Sequence, residues 1–217
     1  MARRILHMSS ISTLVTTFPV QKPNDEELDL LETRPKEVEG SPIGLMEYYA
    51  DCEPSTGNPT LLGIDIATPF KNYHEGSNIS LSVRWWPKTT NHYLWSSEDE
   101  DIPTPHTPAA LPRFSLHGRL ESISKADLLK NLVPACFLKA HPDSLLWQPG
   151  NDIHESEYKR LVVEHIYWFG GFGDRARIGW LPLEEWQNVT MEEIEAYRLP
   201  GEAKKKEGAS RWWRDWL

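Results

Sequence analysis

The chain has 217 residues, 39% hydrophobic and 25% charged, with a formal net charge of −9. That length suits one domain with one sizeable core. The acidic balance argues against a nucleic-acid partner, which needs clustered Lys and Arg, and the basic runs Arg3-Arg4 and Lys204-Lys205-Lys206 are short and terminal.

Residues 2–8 (ARRILHM) read as a helix with no signal-peptide pattern before it, and no apolar run is long enough to span a membrane. Residues 9–18 (SSISTLVTTF), rich in Ser, Thr and β-branched residues, predict a first strand. Residues 19–41, with two prolines and many acids, read as an exposed loop. Residues 42–51 and 60–67 are strands around the turn Glu53-Pro54-Ser55-Thr56-Gly57-Asn58-Pro59, which makes them a hairpin. Residues 68–77 read as a short helix or tight loop. Residues 78–86 (NISLSVRWW) form a fourth strand, with Ile79, Leu81 and Val83 on one face.

A second acidic, proline-rich loop covers residues 87–112, and residues 113–123 are a fifth strand. Residues 125–140 show helical spacing of Leu128, Leu129, Leu132, Val133 and Phe137, divided by Pro134. Residues 158–169 form a sixth strand, in which Leu161, Val163, His165 and Tyr167 alternate with Val162, Glu164, Ile166 and Trp168; His165 reads as a core or interface residue. Residues 175–181 predict a seventh strand and residues 182–197 a helix opened by Pro182 and acids. The tail ends in the Trp-rich SRWWRDWL. The expected organisation is a single barrel domain over residues 1–197, with loop insertions at 19–40 and 87–112, and a tail over 198–217. Six or seven strands without strict βαβ alternation argue for a mainly β barrel with peripheral helices.

Familiar catalytic signatures are absent. No G-x-S-x-G marks a hydrolase, no P-loop is present, and Gly170-Gly171-Phe172-Gly173 lacks dinucleotide-binding spacing. Asp152 and His154 are a lone pair, and Cys52 and Cys136 lack the CxxC or Cys/His spacing of a structural zinc site, so no metal is assigned. The two cysteines are compatible with a disulfide or with two free thiols. Thr68-Pro69-Phe70-Lys71-Asn72 combines a hydroxyl, an ammonium, an amide and a helix start, groups that suit a phosphate. The ten tryptophans are read as core and interface residues.

Four segments, in order, resemble the CREG family and the wider pyridoxamine-5′-phosphate-oxidase-like split barrels. They are ARRILHMSSISTLVTTF; SPIGLMEYY with STGNPTLLGIDIATPFKNYHEGSNISLSV; PRFSLHGRLESI; and FLKAHPDSLLW with NDIHESEYKRLVVEHIYWFGGFGDRARIGWLPLEEWQNVT. The stretch GGFG-x-R-A-R-x-x-W-L is similar to a bacterial-type branch that includes haem-binding members. The resemblance implies a six-stranded, flavin-reductase-type split β-barrel paired as a homodimer, with a small-molecule groove shared by two subunits. FMN would place its phosphate on Thr68, Lys71 and Asn72, with Arg84 and Arg113 in reach and Met46 and Glu47 flanking the ring.

The function implied is an FMN-binding, oxidoreductase-like protein with no assignable catalytic residue or substrate. The alternatives are a cofactor-free, CREG-like interaction glycoprotein, a haem-binding protein, or a groove re-used for another small molecule. Sequons at Asn78-Ile79-Ser80 and Asn188-Val189-Thr190 accord with a secretory or lysosomal route if a leader has been removed; the chain as it stands reads as cytoplasmic.

Overall fold

Among the described residues, alternating apolar segments become seven antiparallel strands: β1 Ile11–Thr17, β2 Pro42–Ala50, β3 Thr60–Ile64, β4 Ile79–Arg84, β5 Arg113–Ser122, β6 Ser156–Gly170 and β7 Arg177–Leu181. The computed structural model describes residues 1–20, 34–87, 108–151, 154–171 and 173–202. Most of the two acidic loops, Asp152 and the Trp-rich tail fall outside these residues. The strand order is β3-β2-β1-β4-β5-β6-β7, with β3 also paired to β6. That last pairing closes β1 to β6 into a six-stranded barrel and leaves β7 as an extension.

β6 is long enough to serve both purposes. Its first part, Ser156–Arg160, pairs with β3, and its last part, Ile166–Gly170, pairs with β7. Between them the ladder to β5 slips: His117 faces His165, but Gly118 faces Val163. Glu164 is therefore an extra residue, and a bulge of this kind bends a strand and resets its alternation. The sequence reading placed His165 and Tyr167 on the same face as Leu161 and Val163. The structure corrects it. After the bulge Ile166 and Trp168 are buried, and His165 and Tyr167 are exposed.

The barrel core holds Leu14, Tyr49, Leu61, Leu81, Val83, Phe114, Leu116, Leu161, Val163 and Ile166. Helix α1 (Ala2–Met8) adds Ile5 and Leu6, and α2 (Thr68–His74) adds Phe70. Arg3 and Arg4, one of the two short terminal basic runs, are buried. Arg3 donates to the Trp186 carbonyl at 2.9 Å and lies over the Trp186 ring; Arg4 pairs with Glu202.

Helices α3 (Lys125–Lys130) and α4 (Val133–Ala140) build a second cluster with Ala50, Cys52, Leu62, Ile123, Val133, Phe137 and Tyr158. Cys52 and Cys136 form a disulfide across it, which resolves the choice that sequence left open. His141, the C-cap of α4, bonds the Tyr49 carbonyl through Nε2 at 2.9 Å and stacks on Tyr48. Residues 182–197, expected as one helix, are two: α5 (Leu183–Gln187) and α6 (Met191–Ala196). Thr190 caps the second through a reciprocal bond with Glu193, which gives the chain a fresh start three residues after the first helix ends.

Candidate functional site

In β4, Ile79, Leu81 and Val83 face the core, so Ser80, Ser82 and Arg84 face outward. Strand register extends this outer face across the sheet in two rows. One runs Met46, Thr13, Ser82, Ser115, Tyr167 and Trp180. The next runs Gly44, Val15, Ser80, His117 and His165. Small residues occupy the middle of the first row, between Met46 and Tyr167, whereas in the second row the large side chains stand at the β5–β6 end only. The result is a shallow trough floored by Gly44, Thr13, Ser80, Ser82 and Ser115. Met46, 62% exposed, forms one wall, and Tyr167 with Trp180, 64% exposed, forms the other. Tyr167 and Trp180 meet edge to face with centroids 5.1 Å apart.

Arg84 and Arg113 lie directly opposite each other at one end of the face. Like charges in this position repel, and among the described residues neither forms an ion pair. Each instead sits over an aromatic ring, Arg84 5.4 Å from Trp86 and Arg113 3.8 Å from Phe169. Arg113 also donates to the Ala109 carbonyl at 3.0 Å, which fixes its guanidinium.

The other three expected residues sit elsewhere. Thr68, Lys71 and Asn72 belong to α2, which packs by the start of β4: the Tyr73 hydroxyl accepts from the Leu120 N–H, and the Thr17 N–H donates to Ser77 Oγ. Arg84 is at the far end of β4, roughly 17 Å along the strand. Within one protomer the five residues therefore form two groups. Lys71 is exposed and Thr68 half-buried. Asn72 is buried, and its amide donates to Thr16 Oγ1 at 3.0 Å inside the barrel.

Of the two β2 residues expected beside a ring, only Met46 faces the trough. Glu47 pairs with the buried Ser12 and takes the opposite face. Burial pushes its carboxyl up to about 7, although the Tyr48 N–H donates to Oε1 at 3.1 Å. A raised acid favours the folded state when protonated, so this contribution is full below the ordinary carboxylate range and is lost as pH climbs through about 7. Glu47→Gln is expected to match the parent in acid and to be more stable above neutrality by about 1 kcal/mol, allowing for partial solvent screening. Urea unfolding midpoints at the two pH values measure this.

Sequence reasoning passed over Ser82, Ser115, Tyr167 and Trp180. The signal for the two serines is the run of small residues on the outward face of three neighbouring strands, and that for Tyr167 and Trp180 is their place beside it, both legible only once register is known. A separate cavity of about 510 Å³, lined by Ala2, Pro112, Trp168, Gly170, Arg177 and Leu181 among others, involves none of the expected residues.

Comparison with solved structures finds this fold elsewhere. A haem-binding protein from Mycobacterium smegmatis superposes with a TM-score of 0.55 at 20% identity, over 86% of this chain and 58% of that one. A protein of unknown function from Agrobacterium tumefaciens gives a TM-score of 0.48 at 18% identity, over 77% of this chain and 53% of that one. A Clostridium acetobutylicum protein related to general stress protein 26, of the pyridoxinephosphate oxidase family, gives 0.44 at 12% identity, over 85% and 94%. The chain thus spans little more than half the length of the first two. No curated protein sequence matches it. The family model described as CREG, beta-barrel matches residues 1–188, and the chain belongs to that family.

Proposed function

We propose that the outer trough is a flavin-type cofactor site, and that two copies of the chain meet across this face to form it. The observation that carries the reading is the facing pair Arg84 and Arg113, two cations without a carboxylate partner among the described residues, at the end of an aromatic-walled trough. Such a pair suits a phosphate, which guanidinium groups bind bidentately. The small floor leaves room for a planar ring between Met46 and the Tyr167–Trp180 wall, and exposed apolar side chains of this size mark contact surfaces. The phosphate thereby moves from the α2 turn to the paired arginines. Thr68 and Lys71 remain as a second, polar corner, and Asn72 is a structural residue.

Bound flavin would supply hydride or electron transfer, and the chain's part is to hold and orient it. Arg84 and Arg113 fix the anionic end, and Trp180 limits access of water from the β7 side.

The test is a visible spectrum of the purified chain after incubation with FMN and gel filtration, with mass measured by sedimentation. Retained flavin bands on a species of two chains are expected. Arg113→Ala should weaken FMN binding by at least about tenfold, the loss of one charge-assisted phosphate contact, while Lys71→Ala changes it little. The reverse ranking would return the phosphate to α2. A Soret band in place of flavin would mark a haem site.

One observation favours a second reading, a cofactor-free interaction glycoprotein in an oxidising compartment. The Cys52–Cys136 disulfide is of a kind that persists there, and Asn78 and Asn188, both in sequons, are exposed. Absence of any retained chromophore, together with glycan at these asparagines, would support it.

A further inference from the structure

The corner of the trough where β5, β6 and β7 meet carries two imidazoles that the flavin reading does not use. His117 and His165 face each other directly across β5 and β6, immediately before the bulge. Directly opposed residues on one face of an antiparallel pair hold their Cβ atoms about 4.5–5.5 Å apart. From that spacing two imidazole nitrogens converge on one ion at metal–nitrogen distances of about 2 Å. Trp180 packs against both rings, with centroids 5.6 Å from His117 and 6.2 Å from His165, and so keeps them on one side of the sheet.

The surroundings leave the pair free to act as ligands. Within a single chain His165 is exposed and His117 half-buried, so no described part of the same chain closes the pair off from an ion. Glu164, the nearest carboxylate in sequence, turns away to Arg119 at 3.2 Å. Among the described residues no group of three or more His, Cys, Asp or Glu gathers around an ion position, so these residues supply two imidazoles and no third ligand.

We infer that His117 and His165 chelate a borderline divalent transition metal of the zinc, nickel or copper class, in an open site whose remaining positions are taken by water or an outside ligand. Imidazole selects this class over magnesium and calcium, which prefer oxygen donors. The inference does not depend on flavin binding.

Calorimetric titration of the untagged full chain with Zn²⁺, and separately with Cu²⁺, tests it. One site per chain is expected. His117→Asn and His165→Asn should each weaken binding by at least about tenfold, the loss of one of two coordinate bonds. His74→Asn, on α2, should leave it unchanged. Cu²⁺ should also quench tryptophan emission, and Trp180→Phe should remove most of that quench while keeping the affinity. Both histidines face outward, so circular dichroism should show the variants folded. Absence of Zn²⁺ and Cu²⁺ binding at sub-millimolar concentration, or binding that survives both histidine substitutions, would overturn the inference, whatever the flavin spectrum shows.

Discussion

Replacing Cys52 and Cys136 together by alanine is expected to lower the unfolding free energy by about 4–5 kcal/mol. The crosslink joins residues 84 apart in sequence, and the chain-entropy model assigns a closed loop of that span about this value. The location sharpens the expectation. Cys52 ends the segment after β2, and Cys136 lies in the middle of α4, so the bond ties the two short outer helices to the barrel. Those helices bury few side chains of their own: Val133 and Phe137 are buried, whereas Leu129 and, in the link between the helices, Leu132 are 76% and 67% exposed.

Without the bond, the cluster around Phe137 and Tyr158 must hold them alone. The barrel keeps its closure through β3 and β6, which the disulfide does not touch. Denaturant unfolding of the parent with and without reductant, beside the double variant, measures the effect. The reduced parent should coincide with the variant. A loss under about 1 kcal/mol would show that α3 and α4 are held by packing and that the entropic account fails here.

The second large effect is at Gly118. A Cβ built there would lie 1.8 Å from the Val162 carbonyl oxygen and 2.9 Å from its carbon. The obstacle is backbone of the bulged strand and cannot rotate aside, so the substitution must move β5 from β6. Gly118→Ala is expected to destabilise by about 3 kcal/mol or more, as overpacking that forces a backbone shift does. It should also disturb the outer face, because the bulge sets the phase of everything after Glu164. A red-shifted or blue-shifted tryptophan emission at low temperature, where the variant is still folded, would report the change around Trp180. Thermal melting beside the parent gives the stability term. An unperturbed melting curve would mean that β5 and β6 separate freely at this point, against the ladder on both sides of it.

The same bulge shows where sequence reasoning stops. Alternation in NISLSVRWW and RFSLHGRLESI matches the faces of β4 and β5, because each strand keeps one phase along the segment that pairs. In YKRLVVEHIYWF the alternation is equally regular on paper, yet the chain changes phase inside it. The extra residue is visible only against the partner strand, where Gly118 makes room for it. Alternation alone therefore groups Tyr167 and His165 with Leu161 and Val163, whereas the register turns both of them outward.

The proposed phosphate residues divide for a related reason. Thr68, Lys71 and Asn72 are close in sequence and share one helix, while Arg84 and Arg113 meet through register across β4 and β5. Short-range spacing cannot tell how far apart the two groups lie. Nor can it tell that the Asn72 amide is committed to Thr16.

By itself, the sequence determined what local patterns and ordered motifs carry: the strands, the division of residues 125–140 into two short helices, which falls just before Pro134, the barrel class and the family, since these follow from periodicity, turn chemistry and the order of segments along the chain. Tertiary structure alone decided the disulfide, the burial of Arg3 and Arg4, the split of the last helix at Thr190, and the trough with its paired arginines and histidines. Each of these depends on which residues distant in sequence are brought face to face, and that is set by strand register and a single bulge rather than by any local preference.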